Sequence, residues 1–352
     1  MPQSMRSTLV ISAMLSILAI AVFAFLWLSK ADSKPQKTVK SSETLDTIKL
    51  SIISPIPQTL HPDPQKVLLG QKLFFDKGLS ADQSVACASC HQLNLGGTDG
   101  LKTAKGIHNQ LGSLNTPTVF NAAFNLSQNW DGRADTLSAQ ALGPLFSPIE
   151  MGNQKADTLL SYVKKQYLDD FKNLYQDGVT LNNLVDAIGE FEKTLITPNS
   201  KFDAYLKGLP SALTDTELAG YQRFNDLGCI ACHNGINLGS NMYQKVGIFS
   251  DDISSPNDTS APDRFTVTKN PSEKGFMKVP TLRNIALTAP YFHNGSSHTL
   301  QDAILKMGRA QLGKELGQQD LELLEAFLKT LTGEYQGKPL MSVASNARTG
   351  NH

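Results

Sequence analysis

Two five-residue stretches decide the fold of this chain: CASCH at residues 87–91 and CIACH at residues 229–233. All four cysteines of the chain lie in them. Two cysteines three positions apart can bind the two vinyl groups of one porphyrin, and the histidine that follows can then ligate the iron. The two motifs therefore predict two covalently bound haems c. The residues expected to hold them are Cys87, Cys90, His91, Cys229, Cys232 and His233.

Three other uses of such cysteines are weaker. A disulfide would leave the histidines without a role and would not require the same pattern twice. A zinc site built from all four cysteines would leave both histidines unexplained. A thioredoxin-like redox pair needs a βαβ context, and neither motif lies in one.

The rest of the chain is patterned for helices. Apolar residues recur three and four positions apart from Leu181 to Leu195 and from Leu321 to Leu331, and no long alternating strand pattern is present. Thr214 and Glu217 form a predicted capping box at the start of a helix that leads into the second cysteine motif. The fold class expected is mainly α, with two cytochrome-c-like domains that each carry one haem.

The predicted domains follow the two motifs. Residues 1–48 form a membrane anchor, or a signal, and a tether. Residues 49–205 form the domain of the first motif, residues 206–336 the domain of the second, and residues 337–352 a polar tail. Two prolines between Thr197 and Leu213 interrupt the helical pattern at the boundary.

The N-terminus carries an apolar segment. Residues 7–28 contain no charged side chain, and as a helix they would extend about 33 Å, close to the roughly 30 Å core of a bilayer. We expect an uncleaved anchor in the inner membrane; the alternative is a signal peptide whose cleavage would release the protein into the periplasm. Haem c is attached outside the bacterial cytoplasm, so the folded part is expected in the periplasm.

The composition restricts the class of partner. The chain has 352 residues, of which 40% are hydrophobic and 18% are charged, and this is typical of a globular protein. Basic and acidic residues number 32 each, so the net charge is zero. A nucleic-acid partner is not expected from this balance.

Each haem iron needs a second axial ligand. His108 lies 17 residues after His91, at the end of a glycine-rich loop that can fold back over the first haem. For the second haem the residue types leave several candidates open. They are Met242, Met277, Met307, His293 and His298. A His/Met pair would raise the potential of that iron.

From about Pro57 to Tyr335 the chain resembles the bacterial dihaem cytochrome c peroxidases. Besides the haem motifs, the resemblance is carried by Asn115 in LNTPT, by WDGR at 130–133, by Glu150 in PIEM, by VPTLRN at 279–284 and by TAPYFHNG at 288–295.

The resemblance implies a role for each matching residue. His91 and His108 would ligate a low-potential, peroxidatic haem, and His233 and Met307 a high-potential, electron-transferring haem. Trp130 would carry electrons between the haems, and Gln140 and Glu150 would line the peroxidatic pocket. A calcium ion would be held by the Asn115 side chain and by the carbonyls of Thr288 and Pro290, as suits hard oxygen ligands.

The function implied is reduction of hydrogen peroxide to water with electrons from a small periplasmic donor, a cytochrome c or a blue copper protein. Reduction of the Met307 haem would release His108 from the other iron, and Glu150 would then move a proton between the peroxide oxygens. A homodimer is a further expectation of the family.

Two other functions are weighed against this one. A relative in the same superfamily oxidises residues of a partner protein and has a tyrosine where this chain has Met307. A membrane-tethered dihaem electron carrier, with both irons always six-coordinate, would give Glu150 no role.

Overall fold

The structure is a computed structural model that describes residues 52–253 and 261–341. Over these ranges the chain is mainly helical, as the sequence predicts. Ten α-helices are present in the described part: α1 Pro64–Phe75, α2 Cys87–Cys90, α3 Leu137–Phe146, α4 Ala156–Leu174, α5 Leu181–Glu192, α6 Lys201–Leu206, α7 Asp215–Asp226, α8 Arg264–Thr268, α9 Leu300–Leu312 and α10 Gln318–Lys329.

The strands are short. β1, Tyr243–Lys245, pairs antiparallel with β2, Phe276–Lys278. β3, Glu334–Tyr335, pairs antiparallel with β4, Lys338–Pro339. Such short two-stranded pairs connect neighbouring loops and do not form a sheet layer of the fold.

A first hydrophobic core surrounds the helix pair α1 and α5, on which α3 also packs. The apolar stripe predicted from Leu181 onward is the buried face of α5, and it includes Leu184 and Ile188. Gly70 of α1 lies against the backbone of Ala187, where an added Cβ would be 1.8 Å from the carbonyl oxygen. The missing side chain therefore permits the close crossing of α1 and α5.

A second core surrounds α7 and α10, with α9 packed beside them. The predicted capping box is confirmed, because the Thr214 hydroxyl accepts from the Glu217 amide and the Glu217 side chain accepts from the Thr214 amide. Gly220 of α7 lies against the backbone of Leu323, in the same way that Gly70 lies against the backbone of Ala187. The helix before each cysteine motif thus crosses a later helix at a glycine.

The two cores belong to one compact unit, and segments distant in sequence join them. Ile53, near the start of the described chain, lies in the second core, and Tyr335, near its end, packs on the first with its ring 5.2 Å from that of Phe120. Leu195 lies in the first core and Phe202 in the second. The domain boundary expected after residue 205 stays a prediction.

The expected anchor at residues 7–28 and most of the polar tail lie outside the described residues. Among the residues described, no helix combines the length and the apolar character that crossing a bilayer requires.

Candidate functional site: two cysteine-histidine motifs on one cavity

The first motif forms a single helical turn. Cys87 and Cys90 begin and end α2, and the His91 amide donates to the Cys87 carbonyl over 2.9 Å. The His91 Nδ1 lies 3.3 Å from the Gly97 carbonyl oxygen, which can only accept, so Nδ1 carries the proton. Burial lowers the pKa of His91. The ring is therefore neutral, with Nε2 available as a ligand.

The second motif repeats this arrangement on a 3₁₀ turn, Cys229–Ala231, which follows Gly228 in the left-handed conformation at φ 92°. The His233 Nδ1 lies 3.1 Å from the Leu238 carbonyl oxygen. Burial lowers the pKa of His233 to about 4. Both motif histidines thus have the protonation state and second hydrogen bond that are typical of metal-ligating imidazoles.

The cysteines are free thiols. Burial raises the pKa of Cys87 to about 12, and the pKa values of Cys90 and Cys229 to about 11. In the described ranges no group of three or more His, Cys, Asp or Glu side chains is placed to hold a metal ion. Neutral thiols beside a buried histidine are compatible with attachment to the vinyl groups of a porphyrin.

Both motif histidines face one cavity of about 310 Å³. Its wall is mostly apolar and comes from both cores, with Val119 from the first core and Phe224 and Leu324 from the second. A mostly apolar wall with two buried neutral imidazoles, and with Cys229 and Cys232 beside one of them, has the chemistry that suits haem binding.

Trp130, Gln140, Asn115, Thr288 and Pro290 all line this cavity. The structure therefore brings together five of the residues that the resemblance selects. The Trp130 Nε1 donates to the Asn115 carbonyl over 3.0 Å, and the Asn115 amide donates to the His293 carbonyl over 2.7 Å. These bonds connect the segments that carry the expected calcium ligands.

The candidates for the sixth ligand of the second haem divide into two groups. Met277, Met307 and His293 line the cavity with His233. Met242 and His298 are not among the lining residues. The ring of His293 also lies edge-to-face with Trp130 at 6.2 Å. The assignment of Met307 as the sixth ligand of the second haem stays a prediction. Met277 is the other methionine candidate that lines the cavity.

His108 and Glu150 lie outside the lining of the cavity. The His108 side chain is 66% exposed, its Nδ1 lies 3.5 Å from the Asp82 carboxylate, and its backbone is left-handed at φ 53°. The Ile107 amide donates to the Glu150 carbonyl over 2.9 Å. The Glu150 carboxylate also contributes to the raised pKa of Cys90, after burial and Asp99. Glu150 thus lies between the first motif and the loop that carries His108.

Two buried ionisable residues of the cavity wall, Glu192 and Lys278, were not identified from the sequence. Glu192 lies four residues after Ile188 on the apolar stripe of α5, and Lys278 stands in the apolar run Phe276–Pro280. A charged residue inside an apolar pattern is the sequence signal that could have identified both residues.

Glu192 is expected to make stability depend on pH. Its Oε2 finds no hydrogen-bond partner among the residues that the structure describes, and burial raises the pKa of its carboxyl from 4.5 to about 8. The folded state binds the Glu192 proton more tightly than the unfolded state does, so this protonation stabilises the fold. The stabilisation is complete below pH 4.5 and is lost as the pH rises to about 8. The unfolding free energy should fall by up to about 1.4 kcal/mol per pH unit in this window.

Urea unfolding of the holoprotein between pH 5 and pH 9 tests this expectation. Glu192→Gln should flatten the decline, so that the variant gains stability over wild type at pH 9 but not at pH 5. Glu322→Gln, on the exposed side of α10, is the matched control and should follow wild type. A decline of equal slope in Glu192→Gln would show that another group causes it.

The site and fold agree with what comparison with known proteins finds. Residues 64–211 match the family model described as di-haem cytochrome c peroxidase. The chain is 46% identical over 297 residues to cytochrome c peroxidase Ccp of Escherichia coli, covering 84% of this chain and 64% of that protein. It is 44% identical to cytochrome c551 peroxidase of Nitrosomonas europaea, covering 80% of this chain and 84% of that protein.

A solved structure of a MauG-like protein associated with microbial copper homeostasis has the same fold, with a TM-score of 0.69 at 27% identity over 79% of this chain and 95% of that one. The chain belongs to the di-haem cytochrome c peroxidase family. This confirms the family identified from the sequence motifs. Membership implies two haems c, one for each CxxCH motif. The chain spans slightly less than two thirds of the E. coli relative.

Proposed function

We propose that the protein is a cytochrome c peroxidase that reduces hydrogen peroxide to two molecules of water, with two protons and with two electrons from a small periplasmic donor protein. The observation that carries the proposal is the single cavity lined by the histidines of both motifs, with Trp130 in its wall. Family membership supports it. The donor would be a small cytochrome c or a blue copper protein.

When bound, the two haems supply an iron that binds peroxide and an iron that stores an electron. Cys87 and Cys90 would hold the first haem and Cys229 and Cys232 the second, with His91 and His233 as axial ligands. Asn115, Thr288 and Pro290 would hold a calcium ion in the wall common to both, since an amide oxygen and two carbonyls suit a hard cation.

Glu150 is proposed as the acid-base residue. It would take the proton from one peroxide oxygen and deliver it to the other, so that the leaving oxygen departs as water. Gln140, from α3, would orient the peroxide by hydrogen bonding. The position of Glu150 beside the first motif supports the role, because its charge acts on Cys90.

His108 is proposed as a displaceable ligand of the first haem. In the structure the exposed His108 side chain lies beside Asp82. In this position it would not ligate the first haem, and His91 would hold the iron from the other face. The loop that carries His108 can move because it is bounded by glycines, including Gly96 and Gly97 in the left-handed conformation. Withdrawal of His108 would leave room for peroxide.

Met307 is proposed as the second ligand of the His233 haem, which would receive electrons from the donor. Trp130 would pass them on, because its indole lies in the wall shared by His91 and His233 and is held by the bond to Asn115. The thioether favours the reduced iron, so this haem would hold its electron ready.

We also propose that residues 7–28 attach the protein to the inner membrane with the enzyme in the periplasm, on the length and apolar character of that segment. Release into the periplasm after cleavage is the alternative. A homodimer is proposed on family membership alone.

The function is tested by mixing the purified holoprotein with a reduced small cytochrome c and hydrogen peroxide. The expected result is oxidation of two donor molecules for each peroxide consumed. Donor oxidation that does not depend on peroxide would contradict the proposal.

Gly106→Ala is expected to lower the peroxidase rate about tenfold or more. An added Cβ would lie 2.0 Å from the Ile149 carbonyl oxygen and 2.7 Å from the Glu150 Cα, so the loop that carries His108 and the Glu150 backbone would have to separate. Gly112→Ala in the same loop is the control, because its nearest neighbour would be at an ordinary 3.5 Å. Equal steady-state rates of the two variants would contradict the expectation.

A further inference from the structure

Lys278, the last residue of β2, is a buried lysine in the wall of the cavity. It is 8% exposed, and burial alone lowers the pKa of its ammonium group to about 8. In the part of the chain that the structure describes, no carboxylate forms an ion pair with it. Since a buried charge without a partner is costly, this lysine calls for an anion that the described residues do not supply.

The carboxylates near the cavity do not meet this need. Glu192 also faces the cavity, but it does not contribute to the pKa of Lys278. Asp131 is paired with Arg133, and the Asp99 carboxylate accepts from the Thr116 hydroxyl. With no carboxylate of the described residues in position, a group that fills the cavity is the candidate partner of Lys278.

The backbone places Lys278 next to the expected electron path. Its amide donates to the Trp130 carbonyl over 2.8 Å, and its strand pairs with β1 so that Lys278 lies opposite Tyr243. The cavity wall that includes Lys278 also includes His91 and His233. The position of this lysine is thus held by a strand and by the residue that we propose to conduct electrons.

We propose that Lys278 binds a propionate carboxylate of one of the two haems and thereby raises the reduction potential of that haem. Each haem would carry two propionates, and a carboxylate is an anion that an ammonium group pairs with in proteins. A fixed positive charge near the iron disfavours the ferric state relative to the ferrous state. The inference rests on the two haems of the proposed function but not on peroxidase turnover.

The test is a spectroscopic redox titration of the holoprotein, in which both haem potentials are measured for wild type and for Lys278→Met, Lys278→Arg and Lys245→Met. Lys278→Met should lower the potential of at least one haem, and Lys278→Arg should keep it near wild type because the charge is retained. Lys245, exposed at the end of β1, is the matched control and its loss should leave both potentials unchanged.

A Lys278→Met protein with two haems and both potentials unchanged would overturn the inference. Each protein is also titrated with chloride and with acetate. A wild-type potential that shifts with added anion, and no longer shifts in Lys278→Met, would show that Lys278 binds a free anion and not a propionate. If wild type carries fewer than two haems, the proposed function fails, and this is seen before any variant is compared.

Discussion

Glu150→Gln is expected to abolish peroxide turnover while leaving both haem spectra intact. The amide keeps the size of the side chain but cannot take a proton, so proton transfer between the peroxide oxygens loses its carrier. General acid-base catalysis by one residue contributes about 10²–10⁴-fold to a rate. We therefore expect a fall of at least about a hundredfold.

The measurement is the steady-state rate of donor oxidation with saturating peroxide, together with the absorption spectra of both haems. Glu322→Gln, on the exposed side of α10, makes the same chemical change away from the first motif and should retain full activity. Undiminished rates in Glu150→Gln would remove Glu150 from the mechanism. Lost haem in this variant would mean that Glu150 serves haem attachment beside Cys90.

Met307→His is expected to lower the potential of the His233 haem and to reduce turnover strongly. A thioether ligand favours ferrous iron, whereas a second imidazole does so less, so the donor protein would reduce this haem poorly. The structure leaves Met277 as the competing methionine, because both line the cavity with His233. Met277→Leu is therefore the matched control.

The potentials of both haems and the rate with reduced cytochrome c decide between the two methionines. The assignment predicts that Met307→His changes the potential and that Met277→Leu changes neither quantity. The reverse pattern would identify Met277 as the ligand.

The sequence predicts the local features of the site well, because these features depend on residues that are close together in the chain. The CxxCH motifs, the stripe of α5 and the capping box at Thr214 depend on contacts within a few positions, and the structure has the two helical features where they are expected. These patterns depend on the periodicity of a single helix and need no knowledge of the tertiary fold.

Tertiary features of the site could not be predicted in this way. Nothing near Ile53 or Tyr335 indicates that the former joins the second core and the latter packs on the first. Among the described residues Lys278 has no charge partner and Glu192 Oε2 has no hydrogen-bond partner, and both facts follow only from the side chains that surround them in space. The exposed position of His108 beside Asp82 likewise depends on a loop whose conformation residue types do not determine.

In the proposed peroxidase, one haem gains an open coordination position for peroxide when the other is reduced. The most direct test of this step is an optical and EPR titration of the holoprotein with calcium present, stopped when one haem is reduced and followed by hydrogen peroxide. We expect half-reduction to convert the His91 haem from low-spin to high-spin, and peroxide then to reoxidise the protein at once. Two haems that stay low-spin and a sample that does not react with peroxide would contradict it and indicate an electron carrier.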